Sequence, residues 1–175
     1  MFKKYYPYEY TEDVFCIDYA ELYRRGYRAI LFDIDNTLVA HGADSTEEID
    51  ELFRKIHATG LKTLLLSNNN VQRIQRFNQN IGTAYIQEAG KPNPSCYLKA
   101  LEMLGVEKQE AIVVGDQIFT DIYGANRAGL ASILVKYIGF YKREWKGYTR
   151  YIEKAVLFCY SLSGKNRHRL GKVTQ

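Results

Sequence analysis

The sequence predicts an α/β fold, a parallel β-sheet with helices on both faces, and three observations carry that prediction. Short apolar runs with no polar residue to face water recur along the chain, so each reads as a strand buried on both sides. Segments with apolar residues at helical spacing separate these runs. Cap and turn residues mark most of the changes from one to the other.

The first run, Ala29 to Phe32, enters Asp33. Ser45, with Glu48 three residues on, forms a capping-box pattern, and Ile49, Leu52, Phe53 and Ile56 then recur at helical spacing before Gly60. Thr63 to Leu66 is a second strand that ends at Ser67. Asn69 or Asn70 caps a second helix carrying Val71, Ile74, Phe77 and Ile81, closed by Gly82. A short strand near Ala84 to Ile86 follows. Gly90 to Pro94 breaks structure and starts a third helix with Tyr97, Leu101 and Leu104 on one face and Gly105 beyond its end. Ala111 to Gly115 is a fourth strand, delivering Asp116 to its end. A helix from about Phe119 to Ala128 stops at Gly129, and Ser132 to Val135 is a fifth strand. Such alternation gives a Rossmann-like parallel sheet with its site at the carboxyl ends of the strands.

Both ends of the chain lie outside this alternation. The N-terminal tyrosines, among them Tyr5, Tyr6, Tyr8, Tyr10 and Tyr19, fit no single helical stripe and read as an aromatic wrap over the sheet. Residues 148–162 form an amphipathic helix with Tyr148, Tyr151, Ile152, Ala155, Val156 and Cys159 as its apolar stripe, expected to dock on the sheet. The 175 residues, 46% of them hydrophobic, suffice for one core, so 1–175 reads as a single domain with a basic C-terminal helix and tail.

Charge divides unevenly along the chain. Residues 1–135 hold 14 Lys and Arg against 18 Asp and Glu, while residues 136–175 hold 10 against 2. A basic end segment of this kind meets anionic lipid or nucleic acid, or serves as a solvated tail. Cys16, Cys96 and Cys159 are odd in number and scattered, which suggests neither a disulfide framework nor a zinc site and fits a reducing cytoplasm. The polar, aromatic N-terminus lacks the apolar run of a signal peptide, and no stretch is long enough to cross a bilayer.

The chemistry lies where the strands end. Asp33 and Asp35 follow the first strand, Ser67 the second, Lys91 precedes the third helix, and Asp116 with Asp121 follows the fourth strand. Two carboxylates two residues apart can share the work of attack and proton transfer, although alone such a pair reads as an exposed turn. Asp116 adds a third carboxylate, and the group calls for a cation, for which Mg²⁺ suits hard oxygen ligands. Lys91 supplies positive charge to a nucleophile and a phosphoryl oxygen, and Ser67 a hydroxyl donor. These are the parts that phosphoryl transfer requires.

The order DIDNTLV from Asp33, SNN from Ser67, GKPNP with Lys91 and GDQIFTD from Gly115 resembles the haloacid dehalogenase (HAD) superfamily of aspartate-nucleophile phosphatases. VVGDQIFTDIYGANRAG and the short spacers are similar to its capless YqeG-like group. The resemblance implies that Asp33 forms an aspartyl-phosphate and that Asp35 protonates the leaving group and then activates water. It implies Mg²⁺ held by the Asp33 carboxylate, the Asp35 backbone carbonyl and the Asp116 carboxylate, with Asp121 behind them orienting water or Lys91. Thr37 would tie the turn, Asn68 would help the phosphate loop or shape a turn, and His41 is read as a surface histidine.

The 31 residues between Asp35 and Ser67, and the 23 between Ser67 and Lys91, leave no room for a cap domain. An open site takes a phosphate carried on something large, or is closed by a second copy of the chain in a homo-oligomer. The YqeG-like group is similar to phosphatidylglycerophosphate phosphatases, which makes that lipid the leading substrate and peripheral contact with an anionic membrane the leading association. Nucleic-acid ends come next, then small phosphorylated metabolites. The alternatives of another class are a noncatalytic phospho-binding module, against which Asp35 argues, and an RNA-associated scaffold.

Overall fold

The computed structural model describes residues 2–139 and 147–174, with the side chains of residues 147, 148 and 150 outside the description. Six strands, β1 (Glu9–Thr11), β2 (Ala29–Phe32), β3 (Lys62–Leu66), β4 (Ala84–Ile86), β5 (Ala111–Gly115) and β6 (Ala131–Val135), form one sheet in the order β1-β6-β5-β2-β3-β4. Every pairing is parallel. The chain leaves β2 toward β3 on one side and later returns to pair β5 on the other, which opens a crevice beyond the carboxyl ends of β2 and β5.

Alternate residues of each strand serve opposite faces. Ile30, Phe32, Leu65, Ile112, Val114 and Ile133 meet α1 (Tyr19–Arg24), α2 (Glu47–Ala58) and α3 (Val71–Phe77) through Leu22, Phe53, Ile56, Ile74 and Phe77. Ala29, Leu31, Leu64, Leu66 and Val113 meet α4 (Pro94–Leu104) and α5 (Tyr123–Ala128) through Tyr97, Ala100, Leu101 and Ala125. Phe53 and Phe77 are fully enclosed, and each contributes about 2–3 kcal/mol by leaving water.

The sequence signals act locally much as expected. Asn70 caps α3 by accepting the Arg73 N–H, Asn93 caps α4 with Pro94 in its first turn, and Gly105 ends α4 in the left-handed region. α2 is capped by Thr46 rather than Ser45, because the Thr46 hydroxyl accepts the Ile49 N–H while Ser45 Oγ turns to Asp50 at 2.5 Å. α3 ends at Phe77, and Ile81 packs on the same core from the following turn.

Two segments differ from expectation. Part of the supposed N-terminal wrap is the edge strand β1, hydrogen-bonded to β6 with Glu9 and Thr11 turned inward, and α1 follows it. Tyr5 packs on Phe119 and Tyr123, and Tyr6 on Tyr160. The last helix, α6 (Gly147–Ser161), docks through Glu153, Val156 and Tyr160 against Tyr6, Ile118, Ile122 and Leu134. The expected stripe points largely the other way: Tyr151 and Ile152 are 70% and 54% exposed, joined by Phe158 at 66% and Leu162 at 72%. α6 is apolar on two sides, and periodicity alone does not choose between them. Glu153 decides it, since its buried Oε1 accepts the Ile118 N–H at 2.9 Å. Tyr148 and Arg150 lie outside the described side chains. Among the described residues no helix is long and apolar enough to cross a membrane.

Candidate active site

The crevice beyond β2 and β5 holds the side chains singled out from the sequence. A cavity of about 660 Å³ is lined by Asp33, Asp35, Ser67, Asn68, Lys91 and Asp116, among others. Asp33 continues β2, its N–H donating to the Val114 carbonyl at 2.9 Å, and Asp116 directly follows β5. The two acids therefore stand on neighbouring strand ends. The α2–β3 and α3–β4 segments take up the intervals from Asp35 to Ser67 and from Ser67 to Lys91.

Lys91 organises the carboxylates. Its buried ammonium lies 2.5 Å from Asp33 Oδ1 and 2.6 Å from Asp121 Oδ1. Burial alone would lower its pKa, but Asp121 and Asp33 outweigh burial and hold it protonated well above an ordinary lysine. Burial pushes Asp33 up to about 6, against the pull of Lys91, and the nearby Asp121 charge adds to the rise. Asp121 also accepts the Gln117 N–H through Oδ2, folding back over Gly115. A Cβ on Gly115 would sit 2.4 Å from Asp121 Cγ, so only glycine admits this fold-back.

Thr37, fully buried, places its hydroxyl 3.3 Å from Asp33 Oδ2 and 3.2 Å from Asp116 Oδ1, where one proton serves either acid. Ser67 Oγ accepts from the Asn69 N–H and the Asn69 amide, which leaves its own proton available to an incoming oxygen. Asn68 spends its amide on the Lys91 backbone, accepting the Lys91 N–H at 2.9 Å and donating to the Lys91 carbonyl at 3.3 Å. Its side chain thus holds the lysine loop while it lines the cavity.

Asp35 is turned toward partners that the sequence did not disclose. It accepts from the Asn69 amide at 2.5 Å, from Arg73 Nη2 at 2.8 Å and from the Gly42 N–H at 2.9 Å. Burial would raise its pKa, yet the Gly42 bond and Arg73 outweigh burial and hold it below the usual carboxylate range. His41 is exposed, 3.6 Å from Asp35. Arg73 and Asn69 left no signal in the sequence beyond their place at the start of a helix.

Oxygen atoms of Asp33, Asp116 and Asp121 lie within 4.8 Å of one another. Three carboxylates against one ammonium leave an excess of negative charge, and an all-oxygen set fits a hard divalent cation. Asp33 and Asp116 are the two carboxylates that the resemblance assigns to the cation, and Asp121 beside them is tied to Lys91 and the Gln117 N–H, while the Asp35 carboxylate lies apart, on Arg73.

A doubly covered parallel sheet with a lysine-held aspartate at its carboxyl edge makes an α/β protein with a site able to receive an anionic group. The profile of the haloacid dehalogenase-like hydrolases matches residues 40–129. A Bacillus subtilis (strain 168) protein described as "Probable phosphatase YqeG" is 32% identical over 170 residues, covering 94% of this chain and 96% of that protein. A glyceraldehyde 3-phosphate phosphatase from Pyrococcus furiosus is 42% identical over 65 residues, a match spanning 27% of that protein. Solved structures share the fold: an uncharacterized protein from Listeria monocytogenes serotype 4b has a TM-score of 0.53 at 20% identity, covering 77% of this chain and 99% of that one. NagD from E. coli K-12 has a TM-score of 0.54 at 15% identity, covering 65% and 89%. The chain belongs to the haloacid dehalogenase-like hydrolases and is a phosphatase of that family.

Proposed function

We propose that the chain is a Mg²⁺-dependent phosphomonoesterase working through an aspartyl-phosphate on Asp33, with phosphatidylglycerophosphate as its leading substrate. The observation that carries the reaction is the pairing of buried Asp33 with Lys91 at 2.5 Å, in a cavity shared with Asp35 and Ser67. Asp33 and Asp116, with the Asp35 carbonyl or Asp121, would hold the cation, which supplies charge neutralisation for an approaching phosphate. Lys91 and the Ser67 hydroxyl would take phosphoryl oxygens.

An Asp33 oxygen attacks phosphorus as the ester P–O bond breaks, and the leaving oxygen takes a proton from Asp35. Asp35 then removes a proton from water, which attacks phosphorus and releases Asp33 and inorganic phosphate. Asp35 must give up Arg73 in part to do so, since in the present arrangement it is held ionised.

The lipid reading draws support from the outward apolar side chains of α6 and from the basic residues after it, Lys165, Arg167 and Lys172. It places the enzyme inside the cell, peripheral to an anionic membrane. Phosphate release is measured from phosphatidylglycerophosphate, 5′-phosphorylated oligonucleotides and small phosphate esters, with EDTA and restored Mg²⁺. Turnover with Mg²⁺ alone, lost in Asp33→Asn, supports the mechanism; preference for the oligonucleotide or for the small esters replaces the lipid. Changing Lys165, Arg167 and Lys172 to Gln weakens binding to anionic vesicles by about 1 kcal/mol per charge that reaches the surface, and raised salt does the same to wild type. Equal binding by both proteins removes the membrane contact.

A further inference from the structure

The cavity that contains Asp33 and Lys91 does not end at the strand edge. Among the described residues its wall continues, with others, along Tyr10, Leu134 and Val135 on the sheet side and along Tyr151, Glu153, Lys154 and Leu157 of α6. We infer that α6 supplies the leaving-group subsite, with Tyr151 packing on an apolar portion of the substrate and Lys154 pairing with a second anionic group. The inference rests on the phosphatase reading of the site and names which side chains beyond it choose the substrate.

Three observations support it. α6 is fixed to the catalytic loop: Glu153 accepts the Ile118 N–H at 2.9 Å, two residues past Asp116, while Val156 and Tyr160 pack on Ile118, Ile122 and Leu134. A helix seated on the turn that presents Asp116 and Asp121 keeps a set relation to the reacting centre. Next, the wall is chemically divided. Leu134, Val135 and Leu157 are apolar, Tyr10 and Tyr151 are aromatic, and Lys154 brings a cation whose ammonium lies 5.8 Å from the Tyr151 ring. Lys136 also borders the cavity but is already paired with Glu12 at 2.7 Å. Finally, Tyr151 is 70% exposed and Lys154 is exposed, so neither is there to support the core, and both can give way to a ligand. A phosphomonoester with a small neutral leaving group would leave this wall unused.

The test uses full-length protein and three probes: methyl phosphate, octyl phosphate and propane-1,3-diyl bisphosphate. kcat/KM is measured for wild type, Tyr151→Ala and Lys154→Gln. Tyr151→Ala is expected to lower kcat/KM for octyl phosphate about tenfold, and Lys154→Gln to lower it about tenfold for the bisphosphate, with methyl phosphate changed less than twofold in both. Equal losses on all three probes, or no loss on any, overturn the subsite. A second measurement separates this from the reaction itself: calorimetric binding of octyl phosphate and inorganic phosphate to Asp33→Asn, with and without Tyr151→Ala. Selective loss of octyl phosphate binding supports the subsite even if wild type turns over nothing, in which case the phosphatase mechanism alone falls. Unchanged octyl phosphate binding alongside normal turnover refutes the subsite and leaves the mechanism standing.

Discussion

Arg73 reaches from the first turn of α3 to Asp35, and its Nη2 donates at once to Asp35 Oδ1 at 2.8 Å and to the Ala43 carbonyl at 2.7 Å. Each side chain of the pair retains only 10% of its exposure, so the guanidinium ties α3 to the loop after β2 away from solvent. Arg73→Met is expected to cost about 1–3 kcal/mol at pH 7, because the buried carboxylate loses its cation. A carboxyl whose pKa is depressed by folding adds stability that is present above its unfolded value and is lost as pH falls through the folded one. The cost should therefore shrink below about pH 4, as urea melts across a pH series will show. In kinetics the alkaline limb of kcat moves to higher pH, since Asp35 without Arg73 keeps its proton longer.

Asp33→Asn should lower kcat by at least about 10⁴-fold, as the amide keeps the shape without the nucleophile. Its effect on the metal-free fold runs the opposite way. Folding raises Asp33 from 3.8 to about 6, so its contribution is present below the unfolded value and lost as pH rises through about 6. In EDTA the variant is expected to be as stable as wild type near pH 4 and more stable, by about 1–3 kcal/mol, above pH 7. Thermal melts in EDTA at the two pH values check this; a variant that is less stable at pH 8 contradicts it.

Lys91→Met leaves Asp33 and Asp121 buried and facing each other without their shared cation. A loss of about 3–5 kcal/mol is expected, together with loss of turnover. Added Mg²⁺ should recover more stability in the variant than in wild type, since it brings back positive charge to the same carboxylates. A melting temperature insensitive to Mg²⁺ in both proteins would argue against the cation site.

Gly115→Ala should displace Asp121, whose Cγ lies 2.4 Å from the new methyl position. The expected cost is about 1–3 kcal/mol, with weakened Mg²⁺ binding by calorimetry even where the protein remains folded. Unaltered Mg²⁺ affinity would separate Asp121 from the metal-binding group.

Much of this could be read from the chain because it depends on short-range pattern. Ile49, Leu52, Phe53 and Ile56 announce α2, and the unbroken apolar runs announce the central strands, since each pattern records burial on a known period. Asp33, Ser67, Lys91 and Asp116 could be gathered because a parallel sheet sends all its strand ends to one edge. Contacts between distant segments left no such trace. Arg73 lies 38 residues from Asp35, and nothing in its own neighbourhood marks it as the partner of that acid. β1 stayed hidden because three residues among tyrosines carry too little alternation, and its place is set by pairing with β6. α6 was turned by one buried glutamate, a choice that hydrophobic spacing does not encode.

β2 and β5 are adjacent strands with Phe32 opposite Val114, and Asp33 and Asp116 are the residues that follow these strand ends. Asp33 lies one residue beyond Phe32 and Asp116 two beyond Val114, so the reach between the acids combines one strand-to-strand spacing, about 4.8 Å, with a stagger of one residue, and the backbone register rather than side-chain packing sets it. Surrounding loops and helices can vary in sequence without spreading these two acids apart. What such a centre does not tolerate is a slip of one residue between β2 and β5, which would change that stagger and carry the core side chains of one strand to the opposite face of the sheet.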